Sequence, residues 1–111
     1  MRATKEMWDM YCRVRWGIPA DSVPESMLDF IEIMILGANK YGWNNWMKTN
    51  GKKSSEKDMH ASMFRHLAQS AVEGRGARDH ESHLDPLLHL QCRASMLCFK
   101  RKHNIIHDDD V

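Results

Sequence analysis

The sequence predicts an all-α fold, arranged as a compact bundle of about four helices. Apolar residues recur at helical spacing in several separate stretches, and Leu, Met, Ala and charged residues dominate the chain. No stretch has the pattern of a strand. From Gly37 to Ser55 the helical period gives way to turn residues and aromatics, which predicts a long aromatic-rich loop between the second and third helices.

The first two helices differ in how clearly their ends are marked. The first, with its following turn, is placed in residues 1–20, where Thr4 is a candidate N-cap. The second begins with a capping box, Ser22 followed by Glu25. Gly37 is expected near its end as a helix breaker. Its apolar stripe is Met27, Leu28, Ile31, Met34, Ile35 and Ala38.

The third and fourth helices have polar caps at their starts. Ser55-x-x-Asp58 predicts the start of the third, which runs to Glu73 before a glycine. Ser82 or Asp85 is the N-cap of the fourth, with Pro86 in its first turn. The acidic residues 104–111 are expected to form a flexible tail. The whole chain, 1–111, is predicted to be a single domain.

Composition and charge narrow the classes of function. The net charge is +1, from 16 basic and 15 acidic residues, so no global field favours nucleic acid or a membrane surface. The three cysteines show no CxxC pairing and are interpreted as buried thiols of a reducing cytoplasm. The longest apolar run, Met27 to Leu36, contains two acids and is too short to span a membrane. Because one copy buries only a modest core, a homo-oligomer is expected.

The segment GANKYGWNNWMK, residues 37–48, indicates a nucleotide pocket. Aromatic rings and amides suit a nucleobase, and lysines suit phosphates. P-loop, GxGxxG and GxSxG motifs are absent, which disfavours the common kinases, dinucleotide enzymes and serine hydrolases. The stacking candidates are Tyr41, Trp43 and Trp46.

Acidic residues on the second helix offer a second kind of chemistry. Glu25, Asp29 and Glu32 share one face at i, i+4 and i+7. They form either a solvated acidic face or a cradle for Mg²⁺, which prefers carboxylate oxygens. Asp29-x-x-Glu32 is the pair best spaced to share an ion. None of the seven histidines forms an HExxH zinc motif.

Four short motifs, taken in order, resemble those of a known family. They are GANKYGWNNW at 37–46, Arg65-His66-Leu67, Asp79-His80-Glu81-Ser82, and a helix with His89 near its start. They are similar to GAxKYxxxNW, RHL, DxESG and HLxHA of the phage-encoded dATP/dGTP diphosphohydrolases. The resemblance covers about Met27 to Phe99. It implies an all-α enzyme that hydrolyses purine deoxynucleoside triphosphates to monophosphate and pyrophosphate, in the host cytoplasm if it is phage-encoded.

The resemblance also implies roles for individual residues. Mg²⁺ (or Mn²⁺) is expected on Asp29, Glu32 and either Asp79 or Glu81, where it would activate a water. His66 or Glu81 would act as general base. Cationic groups would stabilise the leaving pyrophosphate, and the loop would bind the base, with Trp46 or Trp43 stacked on it. The expected catalytic residues are Lys40, Arg65, His66 and Glu81. The expected substrate-binding residues are Tyr41, Trp43, Asn45, Trp46, Lys48, Ser82 and His89.

Two departures from the family motifs keep other functions open. His83 stands where the motif has glycine, and Pro86 stands where it has the first histidine. The alternative is a non-catalytic module that sequesters a nucleotide or a host protein. A third possibility is a helical oligomer whose exposed Met and Trp residues bind a protein partner.

Overall fold

The computed structural model describes Glu6, Met7, Asp9, Met10 and Arg13 near the N-terminus, and all of residues 28–111, with side chains from Ile31 onward in that longer range. Three α-helices are bounded within it: α1 (Leu28–Tyr41), α2 (Glu56–Glu73) and α3 (Pro86–Lys102). The described residues contain helices, turns and no strand, so the all-α prediction is confirmed.

The count of four helices stays a prediction. The described N-terminal residues are helical, but no bounded helix is defined by them. The capping box Ser22–Glu25 lies outside the described residues, as does most of the first predicted helix.

Helix α1 continues through Gly37, so the prediction of a helix end there is wrong. A glycine inside a helix costs roughly 1 kcal/mol, which weakens a helix without ending it. The end comes at Gly42, which has φ +97 and whose N–H donates to Ala38 O at 2.8 Å. Lys40 and Tyr41 therefore lie in the last turn of a helix, and the connection to α2 begins at residue 42.

The N-caps of α2 and α3 follow the sequence pattern. Ser55 Oγ accepts from Asp58 N at 3.1 Å and lies 2.9 Å from Asp58 Oδ2. Asp85, rather than Ser82, caps α3, since its carboxylate accepts from Leu87 N at 2.9 Å. Pro86 occupies the first position of α3, where no N–H is needed.

The described core lies mainly between α2 and α3, with α1 packed against α3. Cys92 Sγ lies 3.3 Å from Met34 Sδ, and burial raises the pKa of this thiol to about 12. Cys98 is exposed, which corrects the expectation that the cysteines are buried. No described helix has the length and apolar character that crossing a membrane requires. The buried apolar residues are Ile31, Ile33, Ile35, Met59, Ala77, Cys92 and Leu97.

Residues 104–111 differ from the flexible tail that the sequence predicts, because they pack on the connection before α2. His107 is buried, and its Nε2 lies 2.7 Å from Gly51 O. Asp110 Oδ2 accepts from Glu56 N at 2.8 Å, at the N-terminus of α2. Such a carboxylate satisfies a free N–H and complements the helix dipole. The tail therefore holds the connection in place.

Candidate active site

A cavity of about 720 Å³ lies among the end of α1, the connection after it, α2, the turn before α3, and α3 itself. It brings together most of the residues that the sequence singled out for catalysis and substrate binding. Those that line it are Lys40, Tyr41, Trp43, Asn45, Trp46, Arg65, His66, Asp79, Glu81 and His89.

Asp79 is the buried acid of this cavity, with 6% of its surface exposed. Its Oδ2 accepts from the main-chain N–H of Glu81 at 3.0 Å and of Ser82 at 2.9 Å. Burial alone would raise the pKa of Asp79, but the hydrogen bond from Ser82 N, the charge of His89 and the hydrogen bond from Glu81 N lower it below its ordinary value of 3.8. Asp79 is therefore a carboxylate at neutral pH.

The turn that holds Asp79 is closed by the main chain. His83 N donates to Asp79 O at 2.7 Å, and Asp79 N donates to Leu84 O at 2.8 Å. His83 has φ +62, in the left-handed region. The family motif has glycine at this position, and only glycine adopts this conformation without steric cost. The departure at His83 therefore adds a steric cost to the turn.

The hydroxyl group of Ser82 contacts both Asp79 and His89. Ser82 is not among the residues that line the cavity, which differs from its expected contact with substrate. Its Oγ lies 2.7 Å from His89 Nε2 and 3.3 Å from Asp79 Oδ2, and it accepts from Leu84 N at 3.2 Å. The hydroxyl therefore joins the acid to the imidazole of α3 and positions both.

His66 on α2 and His89 on α3 form a stacked histidine pair. Their ring centroids are 4.7 Å apart and their planes differ by 19°. His66 Nδ1 lies 4.0 Å from Asp79 Oδ1, and His89 Nε2 lies 3.6 Å from Asp79 Oδ2. Burial, together with the positive charge of Arg93, lowers the pKa of both imidazoles, although Asp79 opposes this. Both rings are therefore neutral at pH 7.

Lys40 and Glu81 face each other at the surface of the cavity. Lys40 Nζ lies 3.3 Å from Glu81 Oε2 and 5.3 Å from the centroid of the Tyr41 ring. Burial alone would lower the pKa of Lys40, but hydrogen bonds to Tyr41 and Glu81 outweigh it and raise this pKa. Each of these two expected catalytic groups is thus partly neutralised by the other.

The aromatic side of the cavity is formed by Trp43 and Trp46. Trp43 is 66% exposed, so its ring is available to a ligand. Trp46 is half-buried and packs edge to face on Phe99 of α3, with centroids 5.5 Å apart.

Asn45 has a structural task, which differs from the expected contact with a base. Its Nδ2 donates to Lys52 O at 2.8 Å, and its Oδ1 accepts from Lys52 N at 2.9 Å. Both ends of the amide are engaged within the connection. Asn45 therefore fixes the segment that carries Trp46.

Two other expected site residues do not line the cavity, and a third cannot be placed. Lys48 is exposed and does not line it. Glu32, half-buried on α1, does not line it either. The side chain of Asp29 lies outside the described residues.

The described side chains offer few donors for the expected metal ion. Within the described part of the chain, no three His, Cys, Asp or Glu side chains are grouped as metal ligands. Asp79 Oδ1 accepts no hydrogen bond from any described residue, and His66 Nδ1 lies 4.0 Å from it. Mg²⁺ is commonly held by one or two carboxylates together with substrate phosphates, and one ionised carboxylate with a free oxygen fits that mode. The donors that the structure describes do not fit a preformed protein cage.

Several residues that line the cavity were missed by the sequence analysis. Arg93, Met96 and Phe99 follow His89 on one face of α3, at intervals of four, three and three residues. This spacing could have revealed them, because residues at such intervals share a helix face.

Comparison with known proteins gives a family. A family model described as dATP/dGTP diphosphohydrolase, N-terminal, matches residues 8–110. No curated protein matched the chain, and no solved structure did. Because the match spans nearly the whole chain, the chain belongs to this dATP/dGTP diphosphohydrolase N-terminal family.

Proposed function

We propose that this member of the dATP/dGTP diphosphohydrolase family hydrolyses purine deoxynucleoside triphosphates to the monophosphate and pyrophosphate. The observation that carries the proposal is the cavity of about 720 Å³, which has aromatic rings at one side and the cluster of Asp79 and the histidine pair at the other. A purine needs an aromatic contact, and a phosphoanhydride needs an acid–base group beside it.

The reaction transfers the nucleotidyl group, through its α-phosphorus, to water. A water oxygen attacks the α-phosphorus, the bond from that phosphorus to the bridging oxygen breaks, and the electron pair leaves with pyrophosphate. Both His66 and His89 are neutral and line the cavity, but His89 Nε2 is engaged by Ser82 Oγ at 2.7 Å, so His66 is the better placed general base. Glu81 is less suited to this role, since its carboxylate is paired with Lys40.

We propose that Mg²⁺ or Mn²⁺ enters with the substrate and that Asp79 holds it, with Asp29 of α1 as a second candidate. When bound, such an ion neutralises phosphate charge and lowers the pKa of a bound water. Ser82 and the main-chain N–H groups of the turn keep Asp79 oriented and ionised.

The test is a product assay by chromatography, with each common NTP and dNTP and with Mg²⁺, Mn²⁺ or EDTA. Metal-dependent monophosphate from dATP or dGTP is expected. His66→Asn should lower kcat by about 100-fold or more, in the range of general-base losses. His60→Asn is the matched control, because His60 is bonded to Glu56 O within α2 and does not line the cavity. Full turnover by the His66 variant would refute the assignment of the base.

A non-catalytic binding module is the second candidate, and the ion pair of Lys40 with Glu81 favours it. In that case no nucleotide is turned over, yet dATP or dGTP stabilises the protein. A ligand at 100 times its Kd adds about 2.7 kcal/mol to the free energy of unfolding, which a thermal-shift assay detects. Stabilisation with no product in any metal condition would select this function.

We also propose that copies of the chain associate through the outer surface of α2. Phe64, Leu67 and Val72 are 67%, 49% and 85% exposed on that helix. Large apolar side chains exposed on a surface favour burial against another apolar surface.

A further inference from the structure

The face of α3 that lines the cavity changes from polar to apolar along the helix. His89 and Arg93 are in its first half, and Met96 and Phe99 are in its second half. With a rise of 1.5 Å per residue, Arg93 and Phe99 are separated by about 9 Å along the axis. Trp46 packs on Phe99 and so extends the apolar end. The cavity therefore has a cationic end and an aromatic end.

Arg93 carries a charge that the described residues do not balance. It is half-buried and lines the cavity. Among the described residues, it has no hydrogen bond and no ion pair with an acid. A second arginine, Arg65 of α2, also lines the wall of the cavity. A half-buried guanidinium without an anion is unfavourable, and its fork of N–H donors matches phosphate oxygens.

The other basic residues are less suited to this role. Lys40, the residue that the sequence assigned to phosphate, is paired with Glu81. Lys48 does not line the cavity. Arg65 is exposed, whereas Arg93 lies deeper and is near enough to the histidine pair for its charge to act on both imidazoles.

We infer that Arg93 binds the phosphate chain of the nucleotide, and that the base lies at the opposite end of the cavity, beside Trp46 and Phe99. This inference rests on the proposed function, because it assigns the orientation of that substrate. It places the phosphates next to the histidine pair and Asp79, where hydrolysis is proposed, and it makes the cavity selective for nucleotides over nucleosides.

The test compares Arg93→Gln, Arg93→Lys and Phe99→Ala with wild type by calorimetric titration in EDTA. The three probes are inorganic tripolyphosphate, dGTP and deoxyguanosine. Arg93→Gln should raise the Kd for tripolyphosphate and for dGTP by about tenfold or more, which is the range for a lost charge-assisted hydrogen bond. The Kd for deoxyguanosine should stay unchanged. Arg93→Lys should lose less, because the charge remains. Phe99→Ala should weaken dGTP and deoxyguanosine and leave tripolyphosphate unchanged.

Arg101→Gln is the matched control, because Arg101 pairs with Glu56 on the surface and does not line the cavity. It should bind all three probes as wild type does. Wild-type affinity for tripolyphosphate in both Arg93 variants would overturn the inference and leave the proposed function standing. Equal losses for all three probes in the Arg93 variants would overturn it too, since they indicate a general loss of structure. If wild type binds neither dGTP nor tripolyphosphate, in EDTA or with Mg²⁺ present, the proposed function itself fails.

Discussion

Replacing Asn45 by alanine should reduce the free energy of unfolding. This loss should be larger than any loss of binding energy toward a ligand. The side chain is only 8% exposed and makes two hydrogen bonds to the main chain of Lys52, of 2.8 and 2.9 Å. Each such bond contributes about 1 kcal/mol net, and an unsatisfied buried partner adds to the loss. We therefore expect Asn45→Ala to reduce the free energy of unfolding by about 2 to 3 kcal/mol. For a domain of this size, the Tm should fall by roughly 10 °C.

The assay is thermal unfolding followed by circular dichroism, checked by urea unfolding. Asn50→Ala is the matched control, because Asn50 is an exposed residue of the same connection. Its effect should stay within about 0.5 kcal/mol, as for most surface substitutions. The reasoning is refuted if Asn45→Ala keeps the wild-type Tm and loses only nucleotide affinity. That result would return Asn45 to the role of a base contact.

Four further outcomes are expected. Removing residues 104–111 should lower the Tm by several degrees and weaken dGTP binding, because the tail bonds to the connection and to the N-terminus of α2; removing Val111 alone should do neither. His83→Gly should raise the free energy of unfolding by about 1 kcal/mol, because glycine adopts the left-handed conformation without steric cost. His80→Gly should lower the free energy of unfolding. The pKa of each histidine of the pair is lower in the folded chain than its ordinary value of 6.5. As the pH drops through 6.5, the unfolded state therefore binds more protons than the folded state. Stability should thus fall as pH drops through 6.5, and changing both histidines to Asn should flatten that fall. If α2 forms the interface between copies, the Phe64→Asp variant should be a monomer when its mass is measured by light scattering. A wild-type protein that is itself monomeric would refute that interface.

Local signals in the sequence predicted the helices well. Ser55 was identified as a cap, and Asp85 was one of two candidates for the next cap, because a cap is a contact between residues two or three positions apart. The all-α class followed from periodicity for the same reason. Gly37 misled the prediction, because intrinsic propensity is weaker than the stabilisation that a packed helix receives.

Contacts between distant parts of the chain were harder to predict. The acidic tail resembled a solvated end, yet His107 is bonded to Gly51 and Asp110 to Glu56. Neither partner is near in sequence. Composition reports how much charge a segment carries, and it contains no information about where a partner for that charge lies.

In the candidate site too, the sequence identifies individual residues, whereas the contacts between them follow only from the fold. The sequence identified Lys40, Glu81 and Asp79 as separate reactive groups, but reactivity depends on which of them meet. The fold pairs Lys40 with Glu81, so these two charges offset each other, and it places the ionised Asp79 beside the two imidazoles within the cavity. Arg93 gains its importance in the same way, since an arginine on a helix is ordinary until the fold places it in the cavity wall with no ion pair to any described acid. A motif can name the residues of a site, and the distribution of charge among them follows only from the packing of the helices that carry them.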